Sequence, residues 1–426
     1  IDGDTVIYTP TTDFTGTDTF SFKVNDGNVD SETKTVSVNV FEGYFSFARQ
    51  LGADIDGESA DDGLGFSVSL NEDATIMAVG AHNNDGNGNA SGHVRVYQFI
   101  NNSWVQLGSD IDGEAANDYS GSSVSLSSDG NTLAIGAYQN DGNGTNSGHV
   151  RIYRYKNSSW VQLGSDIDGE ASSDYLGRRG AVSLSTDGNI VAIGAYSNDG
   201  NGLDSGHVRI YNYKYGNWEQ LGSDIDGESA KDGSGFSVSL SSNGKIVAIG
   251  ADNNDENGNG SGHVRIYTYN ENSWTQLGED IDGAVVSDNS GSSISLSSNG
   301  TTVAIGAPLN DVNGNASGHV RIYNYNGTAW VQIGADINGE AAGDNSGQSV
   351  SLSSDGKTIA IGAYNNDGNG TKFGHVRVYK YGGTSWAQLG LDIDGEASND
   401  YSGLSVSLSS DGTKVAIGAY GNDGNG

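Results

Sequence analysis

The sequence predicts an all-β chain: a seven-bladed β-propeller of four-stranded blades over residues 42–426, its last blade incomplete, preceded over residues 1–41 by part of a β-sandwich module. Three observations carry this expectation. The motif Leu/Ile-Gly-x-Asp-Ile-Asp/Asn-Gly begins at Leu51, Leu107, Leu163, Leu221, Leu277, Ile333 and Leu389, at intervals of 56, 56, 58, 56, 56 and 56 residues. A fixed period of this length marks one supersecondary unit stacked on copies of itself. The 66 glycines suit tight turns rather than helices, and no segment repeats its apolar residues at helical spacing.

The second copy shows the elements in order. Ser122 to Ser128 (SSVSLSS) alternates small polar with apolar residues, and Thr132 to Tyr138 (TLAIGAY) follows across Asp129-Gly130, a hairpin signal. His149 to Tyr155 (HVRIYRY) is the third strand, with Val150 and Ile152 on one face and His149, Arg151 and Tyr153 on the other. Trp160 to Gly164 (WVQLG) is the fourth and leads through SDIDGEASSDYLG into the next copy. Radial closure lets such units bury both sheet faces against neighbours while leaving only short edges. An open solenoid is the runner-up, although 56 residues exceed one ordinary coil. The seventh copy holds two strands before Gly426, so Phe45 to Gly52 (FSFARQLG) is expected as its fourth strand, with Ala48 in place of the Trp. The chain reads as a piece of a longer protein.

The quoted residues, in the pattern GxSVSLSxDGxxxAIGAxxNDGNGxxSGHVRIYxY and with a literal GAP at Gly306-Ala307-Pro308, resemble the FG-GAP repeats of integrin-α-like propellers from Gly43 to Gly426. That family carries an Asp-x-Asp-x-Asp-Gly calcium loop between its first two blade strands. Here a short turn, as at Ser128 to Gly130, stands in that place. In the first forty residues, Tyr8, Pro10, Phe14, Gly16, Asp18, Phe20, Val24 and Asp26 resemble the end of a bacterial cadherin-like or Ig-like adhesin module. The resemblance implies a secreted or surface-attached protein.

With 54 acidic and 20 basic residues the net charge is −34, which argues against nucleic acid or an anionic membrane surface as partner. Cysteine is absent, and no apolar run is long enough to span a membrane. Alternating strand directions place the NDGNG-type loops and the DIDGE-type connections on one face. The connections hold 28 acids and the loops ten, so 38 of the 54 share that face and ask for cations or salt.

Calcium is the expected cofactor, through oxygen ligands of the connections: Asp110, Asp112, Glu114 and Asp118 in copy two, Asp166, Asp168, Glu170 and Asp174 in copy three, Asp224, Asp226, Glu228 and Asp232 in copy four. The loops add Asp141 and Asn143, and Asp255, Asn257 and Asn259, whose spacing matches the first half of an EF-type loop that has Ile266 where the bidentate Glu belongs. Ala284 and Asn338 replace acids in copies five and six, where sites should be weaker. The competing reading is that Asp, Asn and Gly only shape turns.

Six copies carry a Gly-His-Val-Arg start to the third strand. Without a second nitrogen or sulfur ligand these His and Arg are expected to make hydrogen bonds or ion pairs with the connections rather than bind zinc. The Trp at the start of each fourth strand either packs between blades or, with Tyr323, Tyr325 and Trp330 as the example, forms a lectin platform. Arg178 and Arg179, the two extra residues of the long interval, are candidates for an anionic ligand. No acid/base pair or nucleophile stands out, so the chain is expected not to be an enzyme. The expected function is extracellular adhesion or ligand recognition by a monomer with calcium-stabilised loops, for a protein or glycan ligand. A carbohydrate-binding lectin and a polysaccharide-degrading enzyme are the alternatives.

Overall fold

The computed structural model describes residues 16–23, 29, 31–40 and 48–424, in two compact units, Ile1–Arg49 and Gln50–Gly426. In the first, Gly16–Phe22 pairs antiparallel with Lys34–Val40, Gly16 opposite Val40 and Phe22 opposite Lys34. The described residues form this ribbon and no sandwich, which corrects the expected module. Tyr8, Pro10, Phe14, Val24 and Asp26 lie outside the described residues.

The second unit is a β-propeller with no helix among the described residues. Among the described residues six blades are complete sheets and the seventh copy contributes a hairpin, Ser405–Leu408 with Val415–Gly418. The expected count of seven blades is thus corrected to six. Phe45 to Phe47 lie outside the described residues, and Ala48 to Gly52 form no strand. Each complete blade also has a short fifth strand, unanticipated from the sequence. In blade two the strands are Ser123–Leu126, Thr132–Ala137, His149–Lys156, Ser159–Gln162 and Ile167–Asp168. The last two both pair with the third, so the fourth strand is in effect broken in the middle: Trp160 faces Tyr155, and Asp168 faces His149.

The core lies between blades because second and third strands present unlike faces. Leu133 and Ile135 face blade one with Val124 and Leu126, whereas Ala134, Val150 and Ile152 face Val182, Leu184, Val191 and Ile193 of blade three. Large residues on one side meet small ones on the other, and each buried Ile or Val contributes about 1.5–3 kcal/mol. Backbones consequently approach closely: a Cβ on Gly136 would lie 2.0 Å from the Gly177 carbonyl oxygen, and one on Gly418 would lie 1.9 Å from that of Gly65. The hairpin therefore occupies the same kind of place beside blade one as each blade does beside the next. A ring of backbone hydrogen bonds closes on the same plan, from Glu72 N to Ser128 O (3.1 Å) and onward around the channel to Ser410 N and Glu72 O (2.9 Å).

The Trp side chains belong to this packing. Trp160 Nε1 donates to Leu107 O (2.8 Å) and its ring stands 5.2 Å from that of Tyr155.

Candidate functional site

Two regions of the acidic face carry chemistry: a rim that every blade repeats, and the mouth of the central channel, where the repeat is broken.

On the rim, the short fifth strand brings successive connections to the start of the third strand. His149 is 1% exposed, and its Nδ1 lies 3.8 Å from Glu114 Oε2 and 4.0 Å from Asp166 Oδ2. Arg151 donates from Nη2 to Asp112 O (2.7 Å) and pairs through Nη1 with Glu114 Oε1 (3.6 Å). The expected Arg contacts are therefore present. The His contacts are of another kind: burial first, then the charge of Arg151, brings the His149 pKa down to about 4, so the ring is neutral and too far from either carboxylate for a hydrogen bond. Equivalent clusters join Glu170, His207 and Asp224, and Glu228, His263 and Asp280.

The remaining candidate metal ligands have other employment. Asp118 is buried and accepts from Ala115 N (3.0 Å) and Asn140 Nδ2 (3.0 Å); Asp174 and Asp232 accept from Ala171 N and Ser229 N in the same way. Asp141 Oδ1 accepts from Asn146 N (2.7 Å), and Asp255 Oδ1 from Gly260 N (2.7 Å) and Asn259 Nδ2 (3.3 Å), which are turn contacts. The loops and connections do meet, but through donor amides: Asn143 Nδ2 donates to Gly169 O (2.8 Å) and Asn257 Nδ2 to Gly283 O (2.7 Å). Asp112, Asp168 and Asp226 stand opposite His93, His149 and His207 in the strand ladders. Burial and the neighbouring Asp166 and Asp224 raise the pKa of Asp168 and Asp226. Asp110 belongs to the cluster around His93, with Glu58.

The candidate lectin platform is committed elsewhere. Tyr323 and Trp330 pack against the core cluster between blades four and five, Trp330 Nε1 donates to Leu277 O (2.7 Å), and Tyr325 stands beside Trp330 with ring centres 5.2 Å apart.

At the mouth, rings from the ends of the second strands and the starts of the inner ones form an aromatic crown. It runs Tyr364, Tyr401, Tyr420, Phe66, His82, Tyr119, Tyr138, Tyr175, Tyr196, Phe236, with consecutive ring centres 3.7–6.3 Å apart. Arg178 lies over its last two members, 5.0 Å from the Tyr196 centroid and 4.7 Å from that of Phe236. Arg179 reaches across the channel from blade three: its Nη1 donates to Leu404 O (2.8 Å) beside the seventh-copy hairpin, and its guanidinium is 5.5 Å from the Phe66 ring. Burial and Arg178 lower its pKa to about 10, which leaves it charged at neutral pH. Both arginines line a cavity of about 190 Å³ in the channel.

Blade four interrupts the crown with Asp252, at the position where other copies have His82, Tyr138, Tyr196, Pro308, Tyr364 and Tyr420. Its side chain is buried, Oδ1 has no hydrogen-bond partner, and burial raises its pKa to about 7 against the opposing pull of Arg178. The sequence reading missed it. The available signal was the one that singled out Arg178 and Arg179, a break in an otherwise regular repeat.

The class of protein is therefore a β-propeller with repeat-breaking residues at one channel mouth. Two stretches of it, residues 111–153 and 338–379, match the FG-GAP repeat model, and residues 1–39 match a bacterial Ig domain. No curated protein matches the chain. Among solved structures it is similar to a protein assigned as a 6-phosphogluconolactonase from Bacteroides uniformis, with 13% identity, 94% of this chain and 98% of that one covered, and a TM-score of 0.57. It is also similar to the periplasmic gluconolactonase of Pseudomonas aeruginosa, with 15% identity, coverage of 83% and 88%, and a TM-score of 0.52. At these identities the likeness establishes the propeller fold. The expectation that the chain is not an enzyme is corrected to this extent: propellers of the same fold are named as lactonases, so the fold gives no ground for excluding catalysis.

Proposed function

We propose that this chain is the recognition propeller of a bacterial surface or secreted protein, and that it takes an anionic ligand, a carboxylated or sulfated glycan, at the channel mouth. The carrying observation is Arg178 beside Arg179 inside an aromatic crown, in a chain whose net charge is −34. Guanidinium groups pair with carboxylate or sulfate through forked hydrogen bonds, and flat rings stack on sugar faces. The bacterial Ig domain fits a chain displayed outside the cell. In the same reading divalent cations, calcium among them, offset the acidic rim. A Tm that is equal in millimolar calcium and in chelator removes that part.

Calorimetric titration with sulfated and carboxylated oligosaccharides tests the ligand. Binding by the native chain that is lost on Arg178→Ala and kept on Trp330→Phe supports the mouth. Equal binding by all three sinks it.

A second reading, catalysis at the same mouth, is favoured by Asp252. A carboxyl that titrates near neutral pH can give or take a proton in general acid–base chemistry, and the adjacent Arg178 can hold an anionic substrate. Turnover of a lactone or an anionic polysaccharide that disappears in Asp252→Asn separates this reading from binding alone.

A further inference from the structure

We infer that the rim holds a set of divalent-cation sites, one in each of five blades, each built from a Glu, a His and an Asp and suited to zinc or another imidazole-accepting ion rather than to calcium. The inference rests on the blades alone and is independent of what the channel mouth binds. The five groups are Glu58, His93 and Asp110; Glu114, His149 and Asp166; Glu170, His207 and Asp224; Glu228, His263 and Asp280, with Glu256 beside them; and Glu340, His375 and Asp392.

The His in each group is the observation that acidic residues alone would not supply. His263 is 1% exposed, its Nδ1 makes no hydrogen bond, and that atom faces Asp280 Oδ2 at 3.7 Å and Glu228 Oε2 at 3.9 Å. An ion bound at ~2.1 Å from each of two ligand atoms can bridge them up to ~4.2 Å apart. The His-to-carboxylate separations in all five groups that are closest, 3.7–4.0 Å, fall inside that limit and outside hydrogen-bond range. Two carboxylates drawn to one buried imidazole repel each other unless a cation stands between them.

One nitrogen and two carboxylate oxygens, with further positions left to water, suit zinc, manganese or cobalt. Calcium asks for six to eight oxygens and has no use for the imidazole. Each ion would tie three elements together: Glu114 from the connection before blade two, His149 from its third strand, and Asp166 from the connection after it. Blade five is a natural control, since Ala284 stands where the Glu belongs and His319 faces Asp336 alone, at 3.9 Å.

The test uses the full chain, stripped by chelator and dialysed against zinc alone at about 100 μM, with bound metal counted by atomic emission. Five equivalents are expected, falling to three in the double variant Glu114→Gln and Glu170→Gln, and rising to six in Ala284→Glu, a side chain the other copies already accommodate. Tm of each stripped variant, read in chelator, checks that it folds. Less than one equivalent in the native chain, or a count indifferent to these substitutions, overturns the proposal. Calcium that fills the same five positions and is not displaced by equimolar zinc overturns the assignment of the ion class.

Discussion

Rim and mouth lie on one face of the same ring, yet they are built on opposite rules. The rim repeats: His93, His149, His207, His263, His319 and His375 all open a third strand, and all are at most 2% exposed. The mouth does not: blade three inserts Arg178 and Arg179, and blade four puts Asp252 where five of the other six copies have an aromatic ring. Regularity serves packing, because a blade must meet the next one in the same way around the ring. Exceptions cost stability, as with a carboxyl buried without a partner for Oδ1, and persist where the surrounding fold tolerates them. The difference teaches where to look in a repeat protein: frequent residues hold the blades, and the rare ones are where a ligand specific to this chain is to be sought.

Substitutions can break that comparison, beginning with the blades. Ile152→Ala, in the cluster between blades two and three, should cost about 2–5 kcal/mol in chemical denaturation through the lost burial and the cavity left behind. A loss under 0.5 kcal/mol would mean the interblade core is not what holds the ring.

At the mouth, Asp252→Asn should stabilise the protein, and do so in a pH-dependent way. The carboxyl titrates at 3.8 as its reference value and at about 7 in the fold, so the folded state keeps a proton that the unfolded state has released. Stability of the native chain therefore falls as pH rises from about 4 to about 7, and levels off above. At ~1.4 kcal/mol for each pH unit between the two values, the ceiling is on the order of 4 kcal/mol. Denaturation of native and variant at pH 4.5 and 8 should show the gap widening at pH 8. A constant gap would show that Asp252 titrates normally.

Arg178→Ala should weaken an anionic ligand by about 1.5–3 kcal/mol, the range for hydrogen bonds to charged groups, while leaving rim metal counts unchanged. If calorimetry shows the same affinity and Tm drops instead, Arg178 belongs to the structural class with the rim residues. The smallest effect is expected from Trp330→Phe, which keeps an aromatic ring against the interblade core and loses only the hydrogen bond to Leu277 O, about 0.5–1.5 kcal/mol by thermal unfolding. Loss of glycan binding in this variant would restore the lectin platform on the opposite face.

Local chemistry made the repeat legible. Strand alternation in SSVSLSS, the Asp-Gly turn and the 56-residue period are properties of neighbouring residues, and each appears in the fold where the sequence placed it. The fifth strand escaped because two residues, Ile167 and Asp168, carry no period, and only the partner strand turns them into a ladder. The two readings of the Trp side chains, packing or a lectin platform, stayed open in the sequence for a similar reason: Trp160 finds its acceptor on Leu107, 53 residues away.

By itself, then, the sequence determined the all-β class, the repeat and the acidic face, since turn chemistry and alternation act over a few residues and charge simply adds. Tertiary structure decided the blade count, because six sheets and a hairpin depend on which strands find partners. It also decided the sites. Glu114, His149 and Asp166 are brought together by the turn from one connection to the next, and Asp252 acquires its raised pKa from burial, which no run of neighbouring residues encodes.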